Sequence, residues 1–218
     1  DLQDRRFGVA TMAQKLKIPP TKSVLLTLKR QVTFLVQGHA MLERKRELLT
    51  RLVYERLAQY RTLRTEVRAS LIEAYRWLGL AHMRMGSQML HQSAIGLKPA
   101  IKLNILPRSS IGVEYPSVSA EALPLQPVGL TWTDASFDQA RSRLAQAAVL
   151  LARLGEAETA LWRLLAEQRK TQKRVNALKY NVIPRYRTTI RYIQSVLEEE
   201  ERNTLFQIKV LRQRGAAS

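Results

Sequence analysis

Hydrophobic positions in the first half of the chain recur every three or four residues, the spacing of one face of an α-helix. Up to residue 53 the steps of three and four alternate, as in a heptad repeat. Beyond that point the seam shifts register, which relaxes a supercoil without requiring a break. This stretch predicts one long helix packed along a partner. The seam positions are Leu25, Leu28, Val32, Leu35, His39, Leu42, Arg46, Leu49 and Val53, then Leu57, Tyr60, Leu63 or Arg64, Val67, Leu71, Ala74, Leu78 and Ala81.

A second stretch with helical spacing fills the C-terminal part of the chain. Thr131, Thr133 and Asp134 can cap its first turn, and Asp138 adds negative charge there. Because a short connector joins the two stretches, the helices are predicted to run antiparallel. The second seam consists of Phe137, Ala140, Leu144, Ala147, Leu151, Leu154, Ala157, Leu161, Leu164, Val175, Leu178, Val182, Tyr186, Ile190, Ile193 and Leu197, followed by Leu205, Ile208 and Leu211.

Proline and glycine set the predicted boundaries. No proline lies between Pro20 and Pro99, and Gly96 precedes Pro99 as a helix-stop signal. We therefore expect an N-terminal tail over 1–20, a helix over 21–95, a connector over 96–133 and a helix over 134–214. Pro184 predicts a local bend in the second helix, since it removes the amide that would bond the carbonyl of Tyr180.

The connector contains a pattern typical of a β-strand. Between Lys98 and Leu106, the apolar residues Ile101, Leu103 and Ile105 alternate with polar ones, which predicts a half-buried strand. The segment 112–116 is a candidate return strand, and the proline-rich segment up to residue 127 is expected to form a loop or an edge. The fold class expected is all-α, a long antiparallel two-helix coiled coil with a short β-hairpin or loop region between the helices.

Composition adds a strong positive charge to this picture. Lys and Arg number 36 against 18 acidic residues, giving a net charge of +18, which favours polyanions, acidic protein surfaces or anionic membranes as partners. Cysteine is absent, which suits a reducing compartment and predicts a cytoplasmic protein. No apolar run approaches the ~18 residues of a membrane span, so we expect no membrane insertion.

Candidate chemistry is sparse. The sequence has no Gly-rich phosphate loop, and the spacing of His39, His82 and His91 does not gather them with carboxylates, so no catalytic, cofactor or metal site is expected. We expect His39 to be a packed, hydrogen-bonded seam residue rather than a pH switch. The acidic run 198–201 is expected to be a solvated face or to meet a basic partner.

Arginine-rich tracts allow three interpretations, namely a solvated helix face, a phosphate grip, or contact with an acidic protein sleeve. Aromatic residues are not interleaved with the basic ones, which weakens single-stranded nucleic-acid binding. The tracts comprise Arg44, Lys45 and Arg46; Arg169, Lys170, Lys173 and Arg174; and Arg185, Arg187 and Arg191.

Short motifs near both ends resemble those of a known family. They are Lys173-Arg174-Val175-Asn176-Ala177-Leu178, Val182-Ile183-Pro184, Ile190-Arg191-Tyr192-Ile193 and Leu197-Glu198-Glu199, with Pro20-Thr21-Lys22, Leu25-Leu26, Leu28-Lys29, Gly38-His39, Leu42, Lys45-Arg46 and Leu49 in the first helix. In order and spacing, these motifs resemble the D subunit of V-type and archaeal-type (A-type) rotary ATPases over about residues 18–214.

The resemblance implies a non-catalytic central-stalk rotor that transmits torque between the nucleotide-binding hexamer and the membrane ion-translocating ring. Implied partners are the catalytic and regulatory nucleotide-binding subunits (A and B), the small rotor F subunit, and the membrane-ring docking subunit (C or d). The alternative is a basic helical-hairpin module that binds nucleic acid or scaffolds a membrane complex. Interface candidates are Lys22, Lys29, Arg30, His39, Lys45, Arg46, Arg174, Asn176, Pro184, Arg191, Ile101, Leu103 and Ile105.

Overall fold

The computed structural model describes residues 15–127 and 133–215. Over these residues the chain is mostly helical, with one two-stranded antiparallel sheet between the long helices, which confirms the predicted fold class. Thr131 lies outside the described residues. The elements are α1 (Lys22–Ile95), β1 (Ile101–Ser110), β2 (Val113–Ala122), α2 (Ala135–Ala177), a π-helical turn (Leu178–Val182) and α3 (Ile183–Gly215).

Both long helical segments begin at side-chain caps. At the start of α1, the hydroxyl of Thr21 accepts a hydrogen bond from the Val24 amide at 3.3 Å. At the start of α2, the carboxylate of Asp134 accepts from the amide and the hydroxyl of Ser136 at 3.4 and 2.6 Å. These contacts satisfy amides that have no partner within the helix, which is why the two elements begin where they do.

Helix α1 is interrupted at Gly86, a local irregularity that the predicted helix over 21–95 did not include. Gly86 has φ 78° and ψ 160°, a conformation outside the helical region. Only glycine adopts this backbone geometry without strain, because it has no Cβ. An isolated glycine inside a helical pattern does not by itself show whether the helix continues through it.

The described residues form two compact units. One combines the described parts of 1–46 and 170–218, and its buried residues include Leu28, Val175 and Ile193. The other is 47–169, where Leu49, Val113 and Leu164 form a buried cluster. Most seam positions are buried or half-buried as predicted. Four predicted seam residues are exposed instead, namely Leu151, Leu205, Ile208 and Leu211.

Within the unit 47–169, α1 and α2 run antiparallel. Gln168 donates to the hydroxyl of Thr50 at 3.5 Å, Arg143 pairs with Glu73 at 3.3 Å, and Arg84 pairs with Asp134 at 2.9 Å. Residue numbers rise along α1 as they fall along α2, which defines the opposite chain directions.

The hairpin is longer than its sequence pattern suggested. Strands β1 and β2 pair from Ile101 with Ala122 to Ser110 with Val113. The connecting residues Ile111 and Gly112 have φ angles of 53° and 74°. Positive φ at both central positions is the conformation of a type I′ turn, which matches the twist of the two strands. For the β-branched Ile111 this conformation is strained.

Strand β2, rather than β1, carries the buried face of the hairpin. Val113 packs with Leu49 and Leu164, and Tyr115 is buried. Leu103 and Ile105 on β1 are 54% and 63% exposed, so the prediction that this side of the strand is buried is wrong. Alternation identifies which residues share a face, but it cannot say which face a helix covers.

The π-helical turn lies directly before Pro184. The amide of Ile183 bonds the carbonyl of Leu178, five residues earlier, and Pro184 itself has no amide to donate. A π-turn accommodates the proline because hydrogen bonds to the carbonyl five residues earlier locally replace the regular α-helical bonds, one of which Pro184 cannot donate. Pro184 in the sequence located the irregular position but not its form, and the predicted local bend stays a prediction.

Candidate partner-binding surfaces

Lys22 lies at the start of α1 beside the acidic run of α3. Its ammonium is 2.7 Å from a carboxylate oxygen of Glu201, and both side chains are largely exposed. The hydrogen bond and the charge of Glu201 raise the pKa of Lys22, and the same contact with Lys22 lowers the pKa of Glu201. Glu201, one of the acids predicted to be solvated, therefore forms an ion pair with Lys22, one of the interface candidates.

Four other interface candidates of the unit formed by 1–46 and 170–218 are exposed cations. Among the described residues, no carboxylate lies within ion-pair distance of Lys29, Arg30, Arg174 or Arg191, and all four are exposed. Asn176 is exposed too, and its side-chain oxygen accepts from Gln172 at 2.8 Å. Exposed cations on long flexible stems suit weak, reversible contacts with acidic surfaces.

Candidates nearer the middle of α1 are less accessible. Lys45 and Arg46 are half-buried, and Arg46 lies 3.7 Å from Glu43. His39 is half-buried with Nδ1 3.8 Å from the same carboxylate, and its Nε2 is buried with no hydrogen-bond partner in the described part of the chain. The expected hydrogen-bonded histidine is therefore not observed. A seam position predicts burial of an imidazole, but it does not supply a partner for both nitrogens.

A contact that the sequence did not predict joins the N-terminal segment to α3. The amide of Leu16 donates to the hydroxyl of Thr189 at 3.1 Å, and the ammonium of Lys15 lies 3.7 Å from the centre of the Tyr192 ring. Thr189 is buried, and its hydroxyl also donates to the Arg185 carbonyl at 2.8 Å. The only signal in the sequence is a small polar residue between the seam positions of α3.

A basic groove in the unit 47–169 was also missed. Its volume is about 800 Å³. Its cations share one face of α1, are exposed, and have no ion-pair partner in the part of the chain that the structure describes. Beside them lie exposed or half-exposed apolar side chains, a combination that suits an acidic amphipathic partner. The groove is lined by Arg61, Arg64, Thr65, Val67, Arg68, Leu71, Ile72, Tyr75, Leu151 and Leu154.

The last part of α3 carries exposed apolar side chains. Leu205, Phe206, Ile208 and Leu211 are all exposed, although the sequence pattern predicted a buried seam. The pattern correctly identified three of these residues as apolar positions at helical spacing, but it could not identify what covers them. Several exposed apolar side chains this close together make the end of α3 a candidate site of protein interaction.

The described residues offer no cluster for metal chemistry. No group of three or more His, Cys, Asp or Glu side chains there could hold a metal ion. Within the same residues, no helix is long and apolar enough to cross a membrane.

Comparisons with known proteins agree on one family. The family model for the D subunit of ATP synthase matches residues 24–213. The D subunit of the V-type ATP synthase of Thermotoga neapolitana is 35% identical over 202 residues, which cover 92% of this chain and 100% of the relative. The D subunit of the A-type ATP synthase of Pyrococcus furiosus is 33% identical over 205 residues, covering 92% and 96%. Its counterpart in Methanosphaera stadtmanae is 34% identical over 199 residues, covering 89% and 93%.

Proposed function

The chain belongs to the family of ATP synthase D subunits, and from this premise we propose that it is the non-catalytic central-stalk rotor of its complex. In this role it transmits torque between the nucleotide-binding hexamer and the membrane ion-translocating ring. The observation that carries the proposal is the extent of the match, which includes nearly all of α1, the whole hairpin and α2, and nearly all of α3.

The packing of the helices supports the mechanical part of the proposal. A torque-bearing element must resist twisting, and the antiparallel pairing of α1 with α2 is held by buried aliphatic side chains such as Leu49 and Leu164. Burying one such side chain contributes about 1.5–3 kcal/mol. Many of these contacts in series make slippage of one helix past the other unfavourable.

The exposed surfaces lie on different parts of the chain, which supports assigning them to different partner subunits. We assign the cations Lys29, Arg30, Arg174 and Arg191, together with the apolar end of α3, to the nucleotide-binding A and B subunits. The mobile heads of these cations allow contact with successive subunits of a ring without tight attachment to any one. The basic groove and the hairpin are assigned to the small rotor F subunit and to the membrane-ring docking subunit.

Copurification tests this function. An affinity tag on this chain, expressed with the other subunits of its complex, should recover one copy of the chain per hexamer of nucleotide-binding subunits, measured by native mass spectrometry. Recovery of a homodimer free of nucleotide-binding subunits would contradict the proposal. Nucleotide hydrolysis by the isolated chain would contradict its non-catalytic part.

A further inference from the structure

We propose that the outer edge of β1 binds an extended strand from an acidic partner protein, which adds to the hairpin as a third strand. This inference rests on the proposed function, since the partner belongs to the same complex. The mode of binding is main-chain pairing, in which hydrogen bonds along the edge give affinity and alternate side chains give selectivity.

The register of the hairpin determines which backbone groups point outward. Ser110 and Val113 flank a two-residue turn, so they exchange hydrogen bonds with each other, and every second pair beyond them does the same. The intervening pairs direct their amides and carbonyls away from the partner strand. On β1, these outward residues include Ile101, Leu103 and Ile105.

The two prolines of the hairpin agree with this assignment. Pro107 and Pro116 face each other as a pair that exchanges no hydrogen bonds between the strands, as do Leu103 and Ile105 with their partners on β2. Proline has no amide to donate, so in a sheet it is confined to positions that face away from the ladder. Their pairing here leaves the hydrogen bonds between β1 and β2 intact.

The two edges of the hairpin differ in how their outward groups are satisfied. On β2, the Val118 amide donates to the Glu156 carboxylate at 3.0 Å, and the Glu114 carbonyl accepts from Arg163 at 2.8 Å. Side chains of α2 thus occupy that edge. On β1, no group within the described residues bonds the outward amides of Leu103 and Ile105. The open edge is therefore on one side only.

The side chains on the open edge are apolar and exposed, which favours their burial against a protein partner. Ile101, Leu103 and Ile105 alternate along one face of β1, and the last two are more than half exposed. Folded proteins usually protect such an edge with charge or proline. Here Pro107 limits the available stretch to the residues before it, which is enough for a short added strand.

The charge of the chain selects among possible occupants. At +18, two copies of this chain repel each other, so edge-to-edge pairing of a second copy is disfavoured. An acidic partner is attracted by the same charge, and β1 itself carries Lys102 and Arg108 and no acidic residue. The occupant that fits is a short extended segment with apolar residues at alternate positions, carried by an acidic protein of the complex.

Amide hydrogen exchange tests the proposal in the complete complex. Exchange at single residues is compared between the free chain and the assembled complex. The outward amides of Leu103 and Ile105 should exchange at least about tenfold more slowly in the complex, whereas the inward amides of Lys102 and Asn104 should be protected in both states. Equal exchange of Leu103 and Ile105 in both states overturns the proposal, even where the chain copurifies with the hexamer. Concentration-dependent protection of these amides in the free chain also overturns it, because the occupant is then a second copy.

A backbone variant separates main-chain pairing from side-chain contact. Leu103→Pro removes one outward amide, at a position where, as at Pro107, the amide does not bond the partner strand. Leu103→Ala removes most of the side chain but keeps the amide. The proline variant should lose protection at Ile105 in the complex, while the alanine variant should largely retain it. Preserved protection of Asn104 shows that the hairpin is intact. Equal loss in both variants would show that side-chain contact dominates, against the proposal.

Discussion

At the scale of single residues, the heptad spacing predicts burial with good accuracy, because the residues on one face of a helix share one environment. Leu28, Leu49 and Val67 fall on the predicted seam and are buried. The same spacing fails at Leu205 and Leu211, which are exposed. Periodicity identifies an apolar face, whereas burial also requires a covering surface, and that surface can belong to another protein.

Adjacent leucines in α1 provide a matched test of the core. Leu49 is completely buried against Leu164, whereas Leu48 is 55% exposed. We expect Leu49→Ala to lower the free energy of unfolding by about 2–5 kcal/mol, because it leaves a cavity. Leu48→Ala should change it by less than about 0.5 kcal/mol. Urea denaturation of both variants measures the difference, and equal effects would contradict the assigned core.

The cap of α2 makes stability depend on pH. Hydrogen bonds from Ser136, followed by the interaction with Arg84, lower the pKa of Asp134 to about 2. In an unfolded chain the pKa of an aspartate is about 3.9. Because the folded value is the lower one, the contribution of Asp134 to stability is complete above about pH 4 and is lost as the pH falls towards about 2.

Carboxyl NMR titration checks this account of Asp134. We expect Ser136→Ala and Arg84→Ala each to raise the pKa of Asp134, because the first removes the hydroxyl hydrogen bond and the second removes both the hydrogen bond and the charge of Arg84. In denaturation experiments, the stability difference between the wild type and Asp134→Ala should shrink as the pH falls from about 4 to about 2. A difference that stays constant over this range would show that the carboxylate charge does not matter.

At the scale of elements, the sequence predicts where structure changes better than it predicts the form of the change. Gly96 and the prolines after it place the end of α1, and the alternation after Lys98 places the hairpin. Pro184 marks an irregular position in the second helix but does not specify the π-turn before it, and Gly86 does not by itself signal an interruption of α1. A proline or glycine permits several backbone solutions, and tertiary packing selects among them.

Two glycines of α1 test the interruption. Gly86 has positive φ, whereas Gly79 lies in the helical part of α1 and has open space around its Cα. Gly86→Ala should destabilise the protein by about 1–3 kcal/mol, because alanine is strained in that conformation. Gly79→Ala should stabilise it by about 0.5–1 kcal/mol. Thermal unfolding distinguishes the predicted loss of stability in Gly86→Ala from the predicted gain in Gly79→Ala. Stabilisation by both substitutions would show that the helix prefers to continue through residue 86.

At the scale of the whole molecule, family membership followed from short motifs that are distributed along both long helical segments. Its candidate partner surfaces were only partly predictable from the sequence. Exposed Lys29 and Arg174 could be named from the sequence, but the basic groove needs residues of α1 and α2 brought together by folding. Residues distant in sequence form such a surface only after the helices pair, so no local pattern identifies it.

The exposed apolar end of α3 leads to a prediction about coupling. Removing residues 198–218 eliminates Leu205, Phe206 and Leu211, together with the ion pair of Lys22 with Glu201. We expect the truncated chain to support ATP hydrolysis by the complex better than it supports ATP-driven ion transport, because the proposed transmission of torque would use the contacts that are lost. A Glu201→Gln variant controls for the ion pair. Equal loss of hydrolysis and transport in the truncated complex would contradict the prediction.

Direct observation of rotation tests the central claim. The chain has no cysteine, so Ser119→Cys on the hairpin gives a single labelling site in this protein. With the hexamer of the assembled complex fixed to a surface through one of its own subunits, a bead on residue 119 reports the motion of this chain under ATP. We predict continuous rotation in one direction that stops when ATP is removed. A bead that stays stationary while the same complexes hydrolyse ATP would contradict the account.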